Sequence, residues 1–268
     1  MIYIVLFLLG SGLLTWACVH AGMSGWLALP VFLLFYALMH LIYLLVFDLP
    51  SLNTPMDKPI EKQNPISRAG CRGVGRFLCI YGGVKPRLLG LEKLPEDQRF
   101  LFVCNHRSMF DPLMAIGYLD KYNISFISKP SNMKIPFVGR IAYATGYLPI
   151  DRENDRKALK TILTAADYMK RDLCSMGIFP EGTRTRTGEL LPFHAGSFKI
   201  AQRANAPIAV ACVRGTEKVK KRLFLRPTEC TLEILELIPA ETVKAMSTQE
   251  LSEHCRGLIE QRLKEAEA

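Results

Sequence analysis

The sequence predicts an α/β fold, in which a mostly parallel sheet is flanked by helices and preceded by an N-terminal two-helix membrane-embedded hairpin. Three observations lead to this prediction. The first 47 residues contain no Lys, Arg, Asp or Glu. After them, strand-like and helix-like segments alternate, as is typical of parallel sheets with crossover helices. Polar clusters follow several predicted strands, at the sheet edge where α/β proteins bind ligands.

The hairpin is predicted from two apolar stretches, 2–19 and 26–47, which a Gly- and Ser-containing break separates. As helices they would reach roughly 27 and 33 Å, close to the hydrocarbon thickness of a bilayer. The pair either spans the bilayer twice or dips into one leaflet. The alternative to both is an apolar hairpin that is buried in the protein's own core. Lys and Arg are frequent after residue 57, so we expect a cell-membrane protein whose main domain lies on the cytoplasmic side.

We expect three parts: the hairpin over 1–47, a connector and helix over 48–85, and the α/β domain over 86–268. The connector is rich in proline and ends in a predicted helix around 66–81. The predicted strands are 87–91, 99–104, 124–128, 146–150, 175–179, 207–213 and 230–238. The predicted helices are 112–121, 154–171, 196–204 and 248–265. Ser247 and Glu250 have the spacing of a capping box before the last helix.

The composition limits the partners. A net charge of +9 is concentrated in two basic clusters, one soon after the hairpin and one over 214–226. Such clusters suit nucleic acid, an anionic membrane or an anionic substrate, and a merely solvated basic face is the alternative. Beside an apolar hairpin, the membrane is favoured over nucleic acid. No nucleic-acid-binding module is recognisable, so no nucleic-acid partner is expected. The eight cysteines form no C-x-x-C pair, and four of them, Cys79, Cys104, Cys174 and Cys212, lie in or beside apolar runs typical of a core. This favours buried reduced thiols over a zinc site or a disulfide framework.

The segment Asn105–Asp111 offers a base and a carboxylate. His106 follows the predicted strand 99–104, and Asp111-Pro112 has the signature of an N-cap and first helical residue. A strand end, a turn and a helix start can bring two residues five apart together. Asp111 would then fix the imidazole tautomer and leave the other nitrogen as a base. Alternatively, Asp111 is only a helix cap and His106 a strand-end histidine. No G-x-S-x-G elbow occurs, so a substrate would supply the hydroxyl.

The segment after the predicted strand 175–179 suits a phosphate. Gly182 permits close backbone approach, Thr183 offers a hydroxyl, and Arg184 can donate two parallel hydrogen bonds to a phosphate. Glu181 either holds Arg184, bonds a substrate hydroxyl, or stabilises the turn.

Two further cations follow other predicted strands. Arg152 comes after the strand 146–150, and Lys129 comes after the strand 124–128. Arg152 is the stronger candidate for a second phosphate contact. A surface salt bridge is the alternative for either arginine, Arg152 or Arg184.

These segments, in this order, resemble the 1-acylglycerol-3-phosphate acyltransferase family over most of residues 85–215. The family's first motif, N-H-x-S-x-x-D, is present at 105–111, and Gly146–Arg152 is similar to its second. Phe179–Arg184 is similar to the third motif. The fourth is matched only partly by Ala206–Val210, since Val210 stands where the family has a second proline.

The resemblance implies an enzyme that needs no cofactor. It would transfer an acyl chain from a thioester, either acyl-CoA or an acyl carrier protein, to the free sn-2 hydroxyl of 1-acyl-sn-glycerol-3-phosphate (lysophosphatidic acid), forming phosphatidic acid. It also implies that His106 is the base, Asp111 orients it, and Arg152 and residues 181–184 contact the phosphate. An acyltransferase for glycerol 3-phosphate or another lysophospholipid, a non-catalytic membrane lipid-binding protein and a hydrolase are the competing interpretations. The sequence does not indicate an oligomeric state.

Overall fold

The computed structural model describes residues 2–136, 138–151, 153–185, 189–222 and 227–267. Its strands are β1 (Val84–Leu89), β2 (Leu101–Cys104), β3 (Ile124–Ser128), β4 (Leu148–Pro149), β5 (Ser175–Ile178), β6 (Ile208–Arg214) and β7 (Thr228–Ile238). Its helices are α1 (Ile2–His20), α2 (Ala28–Asp48), α3 (Pro65–Tyr81), α4 (Phe110–Tyr118), α5 (Val138–Ala144), α6 (Asp155–Lys170), α7 (Lys199–Ala204), α8 (Thr216–Arg222), α9 (Ala240–Ala245) and α10 (Thr248–Glu267).

The strands form one seven-stranded sheet in the order β1-β7-β6-β2-β5-β3-β4. Neighbouring strands are parallel except for β6 and β7, which pair antiparallel. The sheet is therefore mixed, although most of its pairs are parallel as predicted. After β6 the chain turns back through α8 on the same edge of the sheet, so it enters β7 running in the opposite direction.

Both faces of the sheet are covered, as a buried parallel sheet requires. Along β2, Leu101 and Val103 pack into one core with Tyr168 of α6 and residues of α7 and α10. Phe102 and Cys104 point to the opposite face and pack with residues of α3 and α4. This two-sided burial explains why the strand is a continuous apolar run, and it ends where Asn105 begins the polar segment.

Helix α3 attaches the N-terminal helices to the α/β domain. α1 packs on α2, and α2 packs on α3. A Cβ at Gly70 would overlap the Phe47 side chain, and one at Gly73 would overlap the Tyr43 hydroxyl, so these glycines permit the close approach. The helical segment Gly25–Ser51 is long and apolar enough to cross a membrane, whereas the apolar helix Val5–His20 is shorter. The membrane-embedded hairpin itself stays a prediction.

Several predicted boundaries differ from the structure. α4 begins at Phe110, two residues before Pro112, because the first turn of a helix tolerates a residue without an N–H. The predicted helix 196–204 is a 3₁₀ turn, Ala195–Phe198, followed by α7, and the predicted strand 146–150 is reduced to the two residues of β4. Helices α5, α8 and α9 were not predicted, because each spans at most seven residues and has no extended apolar stripe.

The predicted capping box at the start of α10 is confirmed. The Ser247 N–H donates to Glu250 Oε2 at 2.7 Å, and the Glu250 N–H donates to Ser247 Oγ at 3.2 Å. The buried state of Cys79, Cys104, Cys174 and Cys212 is also confirmed, since each is at most 1% exposed.

Candidate active site

The carboxyl ends of four parallel strands meet at one edge of the sheet. Val103 of β2 is in register with Ile178 of β5, and Phe126 of β3 is in register with Gly177. Ser128 of β3 is paired in turn with Pro149 of β4. The segments that begin at residues 105, 129, 150 and 179 therefore share this edge, as the sequence predicted.

His106 and Asp111 form a hydrogen-bonded pair. The His106 Nδ1 atom lies 2.9 Å from Asp111 Oδ2. The Asp111 carboxylate is fully buried, whereas 19% of the His106 side chain is exposed. A carboxylate at Nδ1 favours the tautomer that carries its proton there, so the Nε2 atom is the one that can accept a proton from a substrate.

Asp111 is not the N-cap of α4, contrary to the prediction from its position before Pro112. The N-cap is Met109, and Asp111 lies in the first helical turn. Its Oδ2 atom accepts the N–H groups of Arg107 at 2.6 Å and Ser108 at 2.7 Å, in addition to the imidazole. The carboxylate thus folds back on the loop that carries His106 and fixes that loop.

A stack of three rings fixes the plane of the imidazole. The His106 ring lies 4.3 Å from the Phe179 ring with an interplanar angle of 19°. Phe179 is stacked in turn on Phe126, at 5.3 Å and 10°. The segment that was predicted to bind phosphate therefore also supports the predicted base.

Glu181 connects two loops of the site through their backbones. Its Oε1 atom accepts the His106 N–H at 2.6 Å, and its Oε2 atom accepts the Leu191 N–H at 3.0 Å. The side chain is 4% exposed, and this burial raises the pKa of the carboxyl. Of the three roles considered from the sequence, these contacts correspond to stabilisation of the turn, since both oxygens bind backbone amides.

Gly182, Thr183 and Arg184 continue from Glu181 toward solvent. Gly182 has a φ of +73°, which favours glycine. Thr183 and Arg184 are exposed, and Arg184 forms no ion pair with any residue that the structure describes. The Thr185 N–H donates to the His106 carbonyl at 3.0 Å, which keeps the guanidinium-bearing segment next to the pair.

Of the two remaining predicted cations, Lys129 and Arg152, the structure describes only Lys129. Lys129 is exposed at the start of the 3₁₀ turn Pro130–Lys134, on the edge of the sheet that carries the site. It forms no ion pair within the described part of the chain, but no contact joins it to His106 either. Arg152 lies outside the described residues.

Three residues of the site were not assigned from the sequence. The Asn105 side chain donates to the Val213 carbonyl at 2.9 Å and accepts the Val213 N–H at 2.8 Å, so it continues the pairing of β2 with β6. The Thr216 hydroxyl donates to Asp111 Oδ1 at 2.5 Å. Arg107 Nη1 lies 3.9 Å from Glu217 Oε1. The available signal was the Gly215-Thr216 pair, which lies two residues after the predicted strand 207–213.

An open, largely apolar cavity of 460 Å³ borders the site. Phe179, Pro180 and Gly182 form one wall, and the first two turns of α6 form another. Lys199 and His194 contribute polar groups from the start of α7 and the turn before it. Phe179 lines the cavity and stacks on His106, so one residue borders both the cavity and the imidazole.

Comparisons with known proteins identify relatives of the chain and a similar fold. Residues 85–214 match the family model described as "Acyltransferase". The chain is 34% identical over 202 residues to proteins named "1-acyl-sn-glycerol-3-phosphate acyltransferase" from Salmonella typhimurium and Escherichia coli, covering 72% of this chain and 80% of each relative. A crystal structure of the 1-acyl-sn-glycerophosphate acyltransferase PlsC from Thermotoga maritima has a similar fold, with a TM-score of 0.62 at 22% identity, covering 85% of this chain and 96% of that one.

Proposed function

The chain belongs to the 1-acyl-sn-glycerol-3-phosphate acyltransferase family, and from this premise we propose that it acylates lysophosphatidic acid to phosphatidic acid with an acyl thioester as donor. Its relatives are named for this acceptor. The observation that carries the proposal is the His106–Asp111 hydrogen bond at 2.9 Å. The bond orients an imidazole that is 19% exposed at the sheet edge. The same edge presents Arg184, whose guanidinium forms no ion pair with the residues that the structure describes.

In the proposed reaction, the enzyme forms no covalent intermediate. His106 Nε2 accepts the proton of the sn-2 hydroxyl as its oxygen attacks the thioester carbonyl carbon. The new C–O bond gives a tetrahedral intermediate, whose collapse breaks the C–S bond. The departing thiolate takes the proton from the imidazolium, so that an ester and a thiol leave and the neutral imidazole is restored. Asp111 holds the ring and stabilises its cationic form throughout.

The acceptor is positioned by its phosphate. Arg184 can bind two phosphate oxygens, and the exposed Thr183 hydroxyl can donate a further hydrogen bond. The Gly182 N–H already donates to the Phe179 carbonyl at 3.0 Å, so Gly182 contributes by permitting close approach of the phosphate. Arg152 and Lys129 are the further cations proposed for this role. Anchoring the phosphate at a fixed distance from His106 holds the hydroxyl within reach of Nε2, which removes much of the entropic cost of bringing the two together. Glu181 contributes indirectly, through the backbone of His106.

The apolar parts of the substrates are proposed to occupy the cavity and the bilayer. The 460 Å³ cavity beside Phe179 has the apolar walls that an acyl chain requires. The N-terminal helices would hold the enzyme at the cytoplasmic side of the membrane, where its lipid substrate and product reside. Many of their large apolar side chains are exposed, including Leu9, Leu13, Leu29 and Leu34.

The function is tested by pairing donors with acceptors. Purified protein in lipid vesicles is given acyl-CoA or acyl carrier protein together with lysophosphatidic acid, glycerol 3-phosphate or lysophosphatidylcholine. Thiol release and lipid products are then measured. We expect thiol release and phosphatidic acid with lysophosphatidic acid. Turnover only with another acceptor would contradict the acceptor assignment, and lipid binding without thiol release from any pair would contradict the enzymatic function.

A further inference from the structure

We propose that Thr216 is a positioning residue for the acyl transfer, holding Asp111, and through it His106, in the orientation that the reaction needs. The inference rests on the proposed function. It concerns a residue that lies 105 positions after Asp111 in sequence and outside the four motifs of the resemblance. Its basis is the contact between the β6–α8 turn and the 105–111 loop.

Thr216 is brought to Asp111 by the backbone at Gly215. Gly215 has a φ of +86°, and a Cβ there would collide with the Glu229 carbonyl on β7. This tight turn ends β6 and directs the first residue of α8 back toward the carboxyl end of β2. A threonine at a helix start commonly caps its own helix. Here the hydroxyl instead donates to Asp111 Oδ1 at 2.5 Å.

The hydroxyl completes the set of donors around a buried carboxylate. Asp111 Oδ2 accepts His106 Nδ1 and the amides of Arg107 and Ser108. For Oδ1, the described residues supply one donor, the Thr216 hydroxyl. Thr216 is fully buried and the Asp111 side chain is as well, so water has no access to replace that donor. A buried charge that loses a hydrogen bond reorients or becomes costly to keep.

The contact restrains the rotation of the carboxylate. Three donors converge on Oδ2, and without a donor on Oδ1 the carboxylate can rotate toward the amides and away from the imidazole. A donor on Oδ1 opposes this rotation because it fixes the second oxygen. The orientation of His106 then depends on a residue that touches neither substrate.

The neighbouring residue supports this assignment. Glu217 lies 3.9 Å from Arg107 Nη1, so the first two residues of α8 contact both Asp111 and the residue after His106. Asn105 joins the start of the same loop to Val213 of β6. β6 and α8 therefore hold the loop at its beginning, middle and end.

The test compares Thr216→Val, which keeps the shape but removes the hydroxyl, with Thr216→Ser, which keeps the hydroxyl. Thr228→Val is the matched control, because Thr228 is also a buried threonine but its hydroxyl has no hydrogen-bond partner among the described residues. The full-length variants in lipid vesicles are assayed for kcat and for the KM of lysophosphatidic acid and donor. Thermal melting reports folding. Thr216→Ala is measured alongside, so that a folding defect specific to valine does not decide the outcome.

We expect kcat to fall by about tenfold to hundredfold in folded Thr216→Val and Thr216→Ala, since small misplacements of catalytic groups have effects of this size. Both KM values should change little, Thr216→Ser should retain most of the activity, and Thr228→Val should resemble the native protein. An unchanged kcat in folded valine and alanine variants would overturn the inference while leaving the proposed function intact. An equal loss in Thr216→Ser or Thr228→Val would also overturn it. Absence of turnover in the native protein would overturn both.

Discussion

At the scale of single residues, two buried carboxylates support His106 in different ways. Asp111 binds the imidazole and so determines which nitrogen carries the proton. Glu181 binds the His106 backbone and ties it to Leu191, so it determines where the residue sits. The two acids were both recognisable in the sequence. The different roles of the two acids could not be recognised in the sequence, because they depend on which backbone N–H groups the folded loops present.

At the residue scale, we predict that Arg184 contributes to binding of the acceptor phosphate. Replacing it with Ala removes the charge-assisted bonds proposed for the acceptor phosphate, and each such bond contributes about 1.5–3 kcal/mol. We therefore expect the KM for lysophosphatidic acid to rise by about tenfold or more, with the KM for the acyl donor nearly unchanged. Steady-state kinetics with each substrate varied in turn measure this. Arg203→Ala, at an exposed position of α7, is the control, and an equal rise in KM for both substrates would contradict the assignment.

At the scale of elements, the site arises where the parallel strands end. The sequence predicted β2, β3 and β5 well, because each is a short apolar run followed directly by polar residues. It therefore also predicted which segments share the catalytic edge. It did not predict α8 or the Thr216 contact, because the segment 216–222 is mostly charged and its register against Asp111 is set by the β6–β7 pairing. Long-range contacts of this kind have no local sequence pattern.

We predict that the wall of the cavity formed by helix α6 limits the length of the acyl chain that the enzyme accepts. Ala158 lies in the wall of the cavity, and replacing it with Phe would fill part of the proposed space for an acyl chain. We expect turnover to fall with long chains and to be retained with short ones, on the donor or on the acceptor, whichever uses the cavity. Assays that vary the two chain lengths separately tell these apart. Lys160→Phe, on the exposed side of α6, is the control. Unchanged profiles for both substrates would show that the cavity holds neither chain.

The capping box of α10 carries a prediction on pH. The Ser247 N–H bond to Glu250 lowers the pKa of that carboxyl from 4.5. A lowered pKa in the folded state means that the stabilisation is complete above the unfolded pKa and is lost as the pH falls through the folded one. Glu250→Gln should therefore unfold more easily at pH 7, with the difference shrinking below pH 4.5. Denaturant unfolding at pH 7 and below pH 4.5 measures the stability of the variant relative to the native protein, with Glu253→Gln as control. A loss of stability that does not depend on pH would contradict the prediction.

At the scale of the whole molecule, an apolar N-terminal unit is joined to an α/β domain. Phe47 and Tyr43 of α2 lie against Gly70 and Gly73 of α3, so the junction is packed. α3 in turn packs on α4, the helix that carries Asp111. The sequence predicted the two apolar helices from their composition. It could not distinguish a spanning pair from one that dips into a leaflet, since both need the same length of apolar chain.

At the scale of the whole molecule, we predict that a charge on the exposed apolar surface of these helices weakens membrane binding. Leu34 on α2 is 65% exposed, and Leu34→Glu would place a charge in the proposed lipid-facing surface. A charge in such a position costs about 2.5–3.5 kcal/mol on insertion scales. We expect a smaller fraction of the variant to float with lipid vesicles in a density gradient. Ala245→Glu, which adds an acid at an exposed position of α9, should float like the native protein. Equal flotation of all three would contradict embedding at this surface.

The central claim is that His106 removes the proton from the acceptor hydroxyl. The most direct measurement is the rate of thiol release by His106→Ala in lipid vesicles with lysophosphatidic acid and an acyl thioester, beside the native protein and a His254→Ala control on the surface. General-base catalysis predicts a fall of about hundredfold or more for folded His106→Ala and no change for His254→Ala. A folded His106→Ala variant that releases thiol at the native rate would contradict the account.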